Sequence, residues 1–178
     1  MVFWHSGLTM LIVWFVMRGN TRIDYRVVAA AALIPDLIDK PLGRILFRDE
    51  LGSGRLIGHT LLFNVAFFCV LFFMRGKIKR RFTLIPLSSL LHLAEDGMWN
   101  HPRTFWWPLF GTEFPKVPMS GGFWSMLDPT RHPGAYVQEA VGLAVIAWLL
   151  ASHGLLNREG IRSFLRTGRL TEPQKAAA

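Results

Sequence analysis

The chain has 178 residues, 51% of them hydrophobic, a single cysteine and a formal net charge of +8. That length fits one domain, and the composition with its positive mean hydropathy argues against an ordinary soluble protein and for a membrane protein. The charge does not indicate nucleic acid, because the basic residues gather between apolar stretches and in the tail, where anionic lipid headgroups are the fitting partner. Cys69, alone and within an apolar run, excludes an intrachain disulfide.

The first apolar stretch, 2–17, carries His5. It lacks a preceding basic region and a small-residue cleavage site, so it reads as a retained helix rather than a cleaved signal. The second, 27–38, runs into Pro35-Asp36-Leu37-Ile38-Asp39. The third, 56–74, contains His59, and the fourth, 82–99, contains Leu91-His92-Leu93-Ala94-Glu95-Asp96. The fifth, 137–156, has Glu139 at its start and His153 near its end. Only the third and fifth approach the roughly 20 residues that span a bilayer. The expected fold is therefore all-α: a polytopic membrane bundle of about five hydrophobic helices, some short or partly spanning around a polar cavity. Residues 1–156 form the membrane-embedded domain. Residues 157–178 form a basic amphipathic tail on the inner leaflet, with Ile161, Phe164 and Leu165 on one side and 174–178 disordered.

Lys and Arg fix the expected orientation. Arg18, Arg22, Arg26, Arg75, Lys77, Lys79, Arg80, Arg81, Arg158, Arg162, Arg166, Arg169 and Lys175 make thirteen on one set of connections. Lys40, Arg44, Arg48, Arg55, Arg103, Lys116 and Arg131 make seven on the other. The positive-inside rule puts the first set in the cytoplasm and the 100–136 connection outside. Trp4, Trp99, Trp106, Trp107 and Trp124 then collect at the outer interface, where amphipathic rings prefer to sit.

Counting helical rise from the nearest inner basic residue places His5, Asp36, Asp39, His59, His92 and Asp96 in one layer, roughly 15 to 24 Å above the cytoplasmic boundary. A carboxylate at that depth costs about 2.5 to 3.5 kcal/mol on insertion scales, so a shared layer of acids and imidazoles calls for a function. The i, i+4 spacing of His92 and Asp96 stacks both on one helix face, where they can grip one ion. Asp36 and Asp39 have a similar i, i+3 relation, and His5 and His59 add nitrogen donors from two more helices. A donor set of nitrogen and oxygen without thiolate suits zinc, manganese or iron, and the imidazole count favours zinc, as one or more ions.

Plainer readings compete at several positions. Asp36 and Asp39 could cap a helix or pair with Lys40 or Arg44, and His92 with Asp96 could merely tie helices together. His153 reads as a helix-bridging hydrogen-bond partner, and His101 and His132 as loop residues within reach of an ion. Glu95 is a secondary companion of His92, and Glu139 a helix-start acid or an additional ligand. The aromatic, proline-rich segment 99–115 reads as an interfacial lid or an aromatic belt, with Arg103 available to an anionic headgroup.

These residues resemble the membrane-bound metal-dependent hydrolase family of bacteria and archaea, the YdjM-like, LexA-binding, inner-membrane-associated hydrolases. The resemblance rests on His5, on Pro35 to Gly43, on Gly54 to Phe63, on His92 to Asp96 with Met98-Trp99, and on Trp107 to Gly111. Many relatives carry a further His before the arginine matching Arg55, where this chain has Gly54. The order His, Asp, His, HxxxD also resembles the soluble all-helical zinc-dependent phospholipases C and their nuclease relatives. Those complete the cluster with a later HxxxE, whereas here His132 precedes Glu139 by seven residues.

Together these features lead us to expect hydrolysis of a phosphoester in a lipid or lipid-linked substrate, on the extracytoplasmic side of a prokaryotic inner membrane. His5, Asp36, Asp39, His59, His92 and Asp96 would hold the metal, with Asp36 or Asp96 as general base. The alternatives are a metal-ion or proton transporter, and a non-catalytic regulatory membrane protein. The residues do not specify the oligomeric state.

Overall fold

The computed structural model describes residues 1–17, 22–76, 82–116 and 133–170. Expectations for Trp124, Arg131, His132 and 174–178, and for the basic residues Arg18, Lys77, Lys79, Arg80, Arg81 and Lys175, fall outside them. Every regular element among the described residues is helical. In chain order they are α1 (Val2–Val16), α2 (Tyr25–Ala31), α3 (Ile34–Pro41), a π turn (Leu42–Leu46), α4 (Arg48–Leu51), a 3-10 turn (Ile57–His59), α5 (Leu61–Phe73), α6 (Leu84–Glu95), a 3-10 turn (Met98–Asn100), α7 (Pro102–Phe105), α8 (Pro133–Ser152) and α9 (Arg158–Thr167).

Two expected helices are broken by local chemistry. The second stretch divides at Ala32-Leu33, with Pro35 in the first turn of α3, where a missing N–H costs nothing. The third yields a helix of only 13 residues, because Thr60 takes an extended conformation and caps α5, its hydroxyl accepting the Phe63 N–H at 3.0 Å. The expectation that the third stretch approaches a full span is thereby corrected. Only α8, at 20 residues, is long and apolar enough to cross a bilayer among the described residues. Just 11% of its apolar window is buried, with Val137, Leu143 and Trp148 on the outer surface, unlike the core helix of a soluble protein.

α1 packs most extensively on α8, through a crossing of Gly7 with Gly142. A Cβ at Gly7 would stand 3.0 Å from the Gly142 carbonyl carbon, and one at Gly142 would run into the backbone of Phe3 and Trp4. Such small-residue crossings let backbones touch where lipid provides no hydrophobic drive. Gly142→Val should therefore push α1 off α8. Thermal unfolding in detergent should show it, with a loss in the range of about 1–3 kcal/mol expected of overpacking, and an unchanged transition would count against this crossing.

Below the crossing lies an apolar core of Met10, Val13, Ile23, Tyr25, Val28 and Leu149. His153 fulfils its bridging role there: the Trp14 indole N–H donates to its Nε2 at 3.2 Å. α9 is fastened to the bundle rather than lying free. Its Phe164 packs on that core, the Tyr25 N–H donates to the Gly168 carbonyl at 2.7 Å, and Arg26 donates to the Leu165 carbonyl at 2.5 Å. Ile161 and Leu165 keep an exposed apolar face. Asp24 caps α2, and its hydrogen bonds from the Arg26 side chain hold its carboxyl below the usual range.

Candidate metal centre

α1, α3, the Ile57–His59 turn and α6 bring His5, Asp36, His59, His92 and Asp96 together. The three imidazoles are at most 1% exposed. The His5 and His92 ring centroids are 3.9 Å apart, and those of His59 and His92 are 5.2 Å apart.

Each imidazole has its Nδ1 occupied. The His5 Nδ1–H donates to Glu95 Oε2 at 2.9 Å, that of His59 to Asp39 Oδ2 at 2.7 Å, and that of His92 to the Ala32 carbonyl at 2.6 Å. With the proton on Nδ1, each neutral ring presents its Nε2 lone pair to the centre. The Nε2 atoms of His59 and His92 lie 3.3 Å apart. Asp96 spans two rings, with Oδ1 3.4 Å from His5 Nε2 and Oδ2 3.6 Å from His59 Nε2. Asp36 Oδ1 is 3.7 Å from His59 Nε2 and 3.9 Å from His92 Nε2.

When the three rings are neutral, five acceptors face one another at distances where lone pairs repel. A cation relieves that repulsion, and the spacing suits one: ligands about 2.0–2.1 Å from a tetrahedral ion stand ~3.4 Å apart. Two overlapping triads form, His5–His92–Asp96 and Asp36–His59–His92. Because His92 Nδ1 is committed to Ala32, its single Nε2 is common to both. The donor set is nitrogen and carboxylate oxygen, as zinc, manganese or iron accept.

Asp39 departs from the expectation of a direct ligand. It is fully buried, and its carboxylate accepts the N–H of Leu56 at 2.6 Å, Gly58 at 2.8 Å and His59 at 3.1 Å, besides His59 Nδ1. Those four donors fill its acceptor directions, so it holds the turn and the His59 ring instead of facing the centre. Glu95 plays the corresponding part for His5, steadied by the Thr9 hydroxyl at 2.8 Å.

Glu139 also departs from its expected place. It does not reach the centre but accepts the first N–H groups of α1, from Val2 at 2.5 Å, Phe3 at 2.6 Å and Trp4 at 3.3 Å. A carboxylate at that positive helix end caps α1 from another helix and thereby sets the height of His5. Arg103 is exposed on α7 and makes no hydrogen bond to the cluster; Arg55 does, donating Nε–H to Asp96 Oδ2 at 3.0 Å. Lys40 pairs with Asp36 Oδ2. His101 is exposed but close enough to Arg55 and Asp96 to feel both charges. The 99–115 segment folds on itself, with the Trp107 ring stacked on Phe114 at 5.6 Å and its indole N–H on the Thr112 carbonyl at 3.0 Å. Trp99, Trp106, Leu109 and Phe110 stay exposed.

Sequence reasoning underused Arg55, Lys40 and Thr9. Arg55 lies in the Gly54–Phe63 run, four residues before His59, and Lys40 lies four residues after Asp36, the spacing of a helical ion pair.

Apolar helices that gather three buried imidazoles and two carboxylates into one cluster define a membrane protein with a candidate metal centre. The chain belongs to the YdjM inner membrane protein family, whose profile it matches over residues 2–160. No curated protein and no solved structure matches it.

Proposed function

We propose that this protein is a membrane-embedded, metal-dependent hydrolase acting on a phosphoester in a lipid or lipid-linked substrate. The observation that carries the reading is that all three histidines set Nδ1 against an oxygen acceptor outside the centre. Three separate acceptors hold Nδ1 protons outward so that three Nε2 lone pairs and two carboxylates meet, an arrangement typical of histidines that ligate a metal.

His5, His59, His92, Asp36 and Asp96 would hold the ion, zinc being the best match to an imidazole-rich set. A divalent ion in such a set supplies Lewis acidity and an activated water at neutral pH. The chain's own residues do the rest. Lys40 pairs with Asp36 Oδ2, and Arg55 donates to Asp96 Oδ2, the oxygen that also faces His59, which holds both carboxylates in place. Either aspartate can then accept the proton of an attacking water. Glu95 and Asp39 keep the His5 and His59 rings from turning. The site opens toward the extracytoplasmic side in this reading, since the basic connections favour a cytoplasmic position for the opposite ends of the helices.

The test is elemental analysis of detergent-purified protein, paired with a turnover screen on lipid phosphoesters. Stoichiometric zinc, manganese or iron with metal-dependent product release is the expected result. Protein without transition metal, or metal-loaded protein inert on every phosphoester offered, would reject the reading. Topology is checked separately: a periplasmic reporter fused near Lys116 should be active and one near Lys79 inactive.

A further inference from the structure

We propose that the mouth of the centre is set in the bilayer interface at the end where α8 begins, with a collar of exposed apolar side chains seated among the lipid headgroups and upper acyl chains. The open side of the centre is marked by its aspartates. The imidazoles are enclosed, whereas Asp36 and Asp96 keep 12% and 10% of their side chains exposed, and their partners Lys40 and Arg55 keep 38% and 40%. Two loops border that side. One follows Lys40 through the π turn into α4 and presents Ile45, Leu46 and Phe47, 48–67% exposed. The other follows Asp96 and presents Trp106, Leu109 and Phe110, 42–77% exposed.

Both loops are fastened, so these side chains are held outward. In the first, a Cβ on Gly43 would stand 3.1 Å from the Ser53 carbonyl carbon, and the Arg55 N–H donates to the Ser53 hydroxyl at 3.2 Å. In the second, α7 packs on the Ile57–His59 turn and Trp107 stacks on Phe114. The loops also join each other: Lys116 Nζ donates to the Asp49 carbonyl at 3.4 Å, and a Cβ on Gly52 would lie 3.9 Å from Lys116 Cβ. Apolar side chains fixed outward on one rim mark a surface that something covers. The level of that rim indicates lipid. Glu139, in the first turns of α8, binds the first N–H groups of α1, so His5, one turn further on, lies level with the start of the bilayer-length helix. The second loop continues beyond the end of α6, away from its body. At the same end Val2, Phe3 and Val137 are exposed, so the rim carries on the lipid-facing surface of α1 and α8. Arg48, Asp49, Glu50 and Arg103 are exposed among the apolar groups of the rim. Charges of both signs beside aromatic and aliphatic side chains suit the headgroup zone, which solvates both, and not the hydrocarbon interior.

An amphiphile of that leaflet would then meet the aspartates from the side, without leaving the bilayer. Under the hydrolase reading this is the substrate's route, while the setting of the mouth stands whatever the centre does. The test places a nitroxide label at Leu46→Cys or Leu109→Cys, each in a Cys69→Ala background, on the full chain reconstituted into vesicles of phosphatidylcholine and phosphatidylglycerol. Relaxation of the label by oxygen, which concentrates in lipid, is compared with relaxation by a water-soluble nickel complex, and metal content is measured on the same samples. The ratio of the oxygen effect to the nickel effect should exceed unity at both positions. The natural chain labelled at Cys69, exposed on α5, supplies the lipid reference. A nickel effect that prevails at either position means that the mouth opens to water and overturns the proposal. Shielding from both probes, with spin–spin broadening where a second copy covers the rim, overturns it equally. Oxygen-dominated labels on protein that holds no transition metal would sink the hydrolase reading and leave the setting of the mouth intact.

Discussion

Replacing His92 with alanine is expected to strip the purified protein of its metal, not merely to weaken it. His92 Nε2 is the one donor shared by both ligand triads, and its other nitrogen is bonded to the Ala32 carbonyl. No ion in either triad survives its loss intact. The metal-to-protein ratio should fall to about a tenth or less, and any phosphoester turnover by more than ~100-fold, beyond the 10- to 100-fold typical of removing a supporting residue. Asp96→Ala should do nearly as much, since that carboxylate spans His5 and His59. His153→Ala, whose hydrogen-bond partners among the described residues are Trp14 and the end of α8, should keep the metal. If His92→Ala/Asp96→Ala retains the metal content of the natural chain, the assignment of this centre is wrong.

Asp39→Asn is expected to cost more stability than any ligand substitution, although Asp39 faces away from the centre. The side-chain amide of asparagine would turn a donor toward backbone N–H groups that are themselves donors. Removing one partner of a buried, hydrogen-bonded charge costs about 3–5 kcal/mol. His59 would lose its orienting acceptor at the same time, so metal affinity should drop by about 10- to 100-fold. Thermal melts with and without added zinc separate the two effects: added metal should recover part of the lost stability by mass action. A melt matching the natural chain would mean that the 56–59 turn is held by something other than Asp39.

Much of this centre could be read from residue spacing alone. Counting rise along helices grouped His5, Asp36, His59, His92 and Asp96, and the structure brings these five side chains together although two of the expected helices break. What spacing could not resolve was the division of labour between Asp36 and Asp39. Both lie on α3 three residues apart, and which one serves the centre depends on where the Leu56–His59 backbone passes, a contact made 17 to 20 residues away. Glu139 was legible as an acid at a helix start, but the helix it caps is α1, not its own. The lengths of the apolar stretches misled for a related reason. Thr60 looked like one more residue in a greasy run, yet the pull of Asp39 on His59 and the Thr60 cap end the turn and start α5 afresh.

The crossing of Gly7 with Gly142 also bears on how the protein is made. His5 precedes the other members of the centre in the chain, whereas Glu139 and Gly142, which fix the height and approach of α1, follow all of them. Asp36, His59, His92 and Asp96 are thus made before the residues that seat α1 against α8. The full set of contacts that positions His5 therefore exists only once α8 has been made.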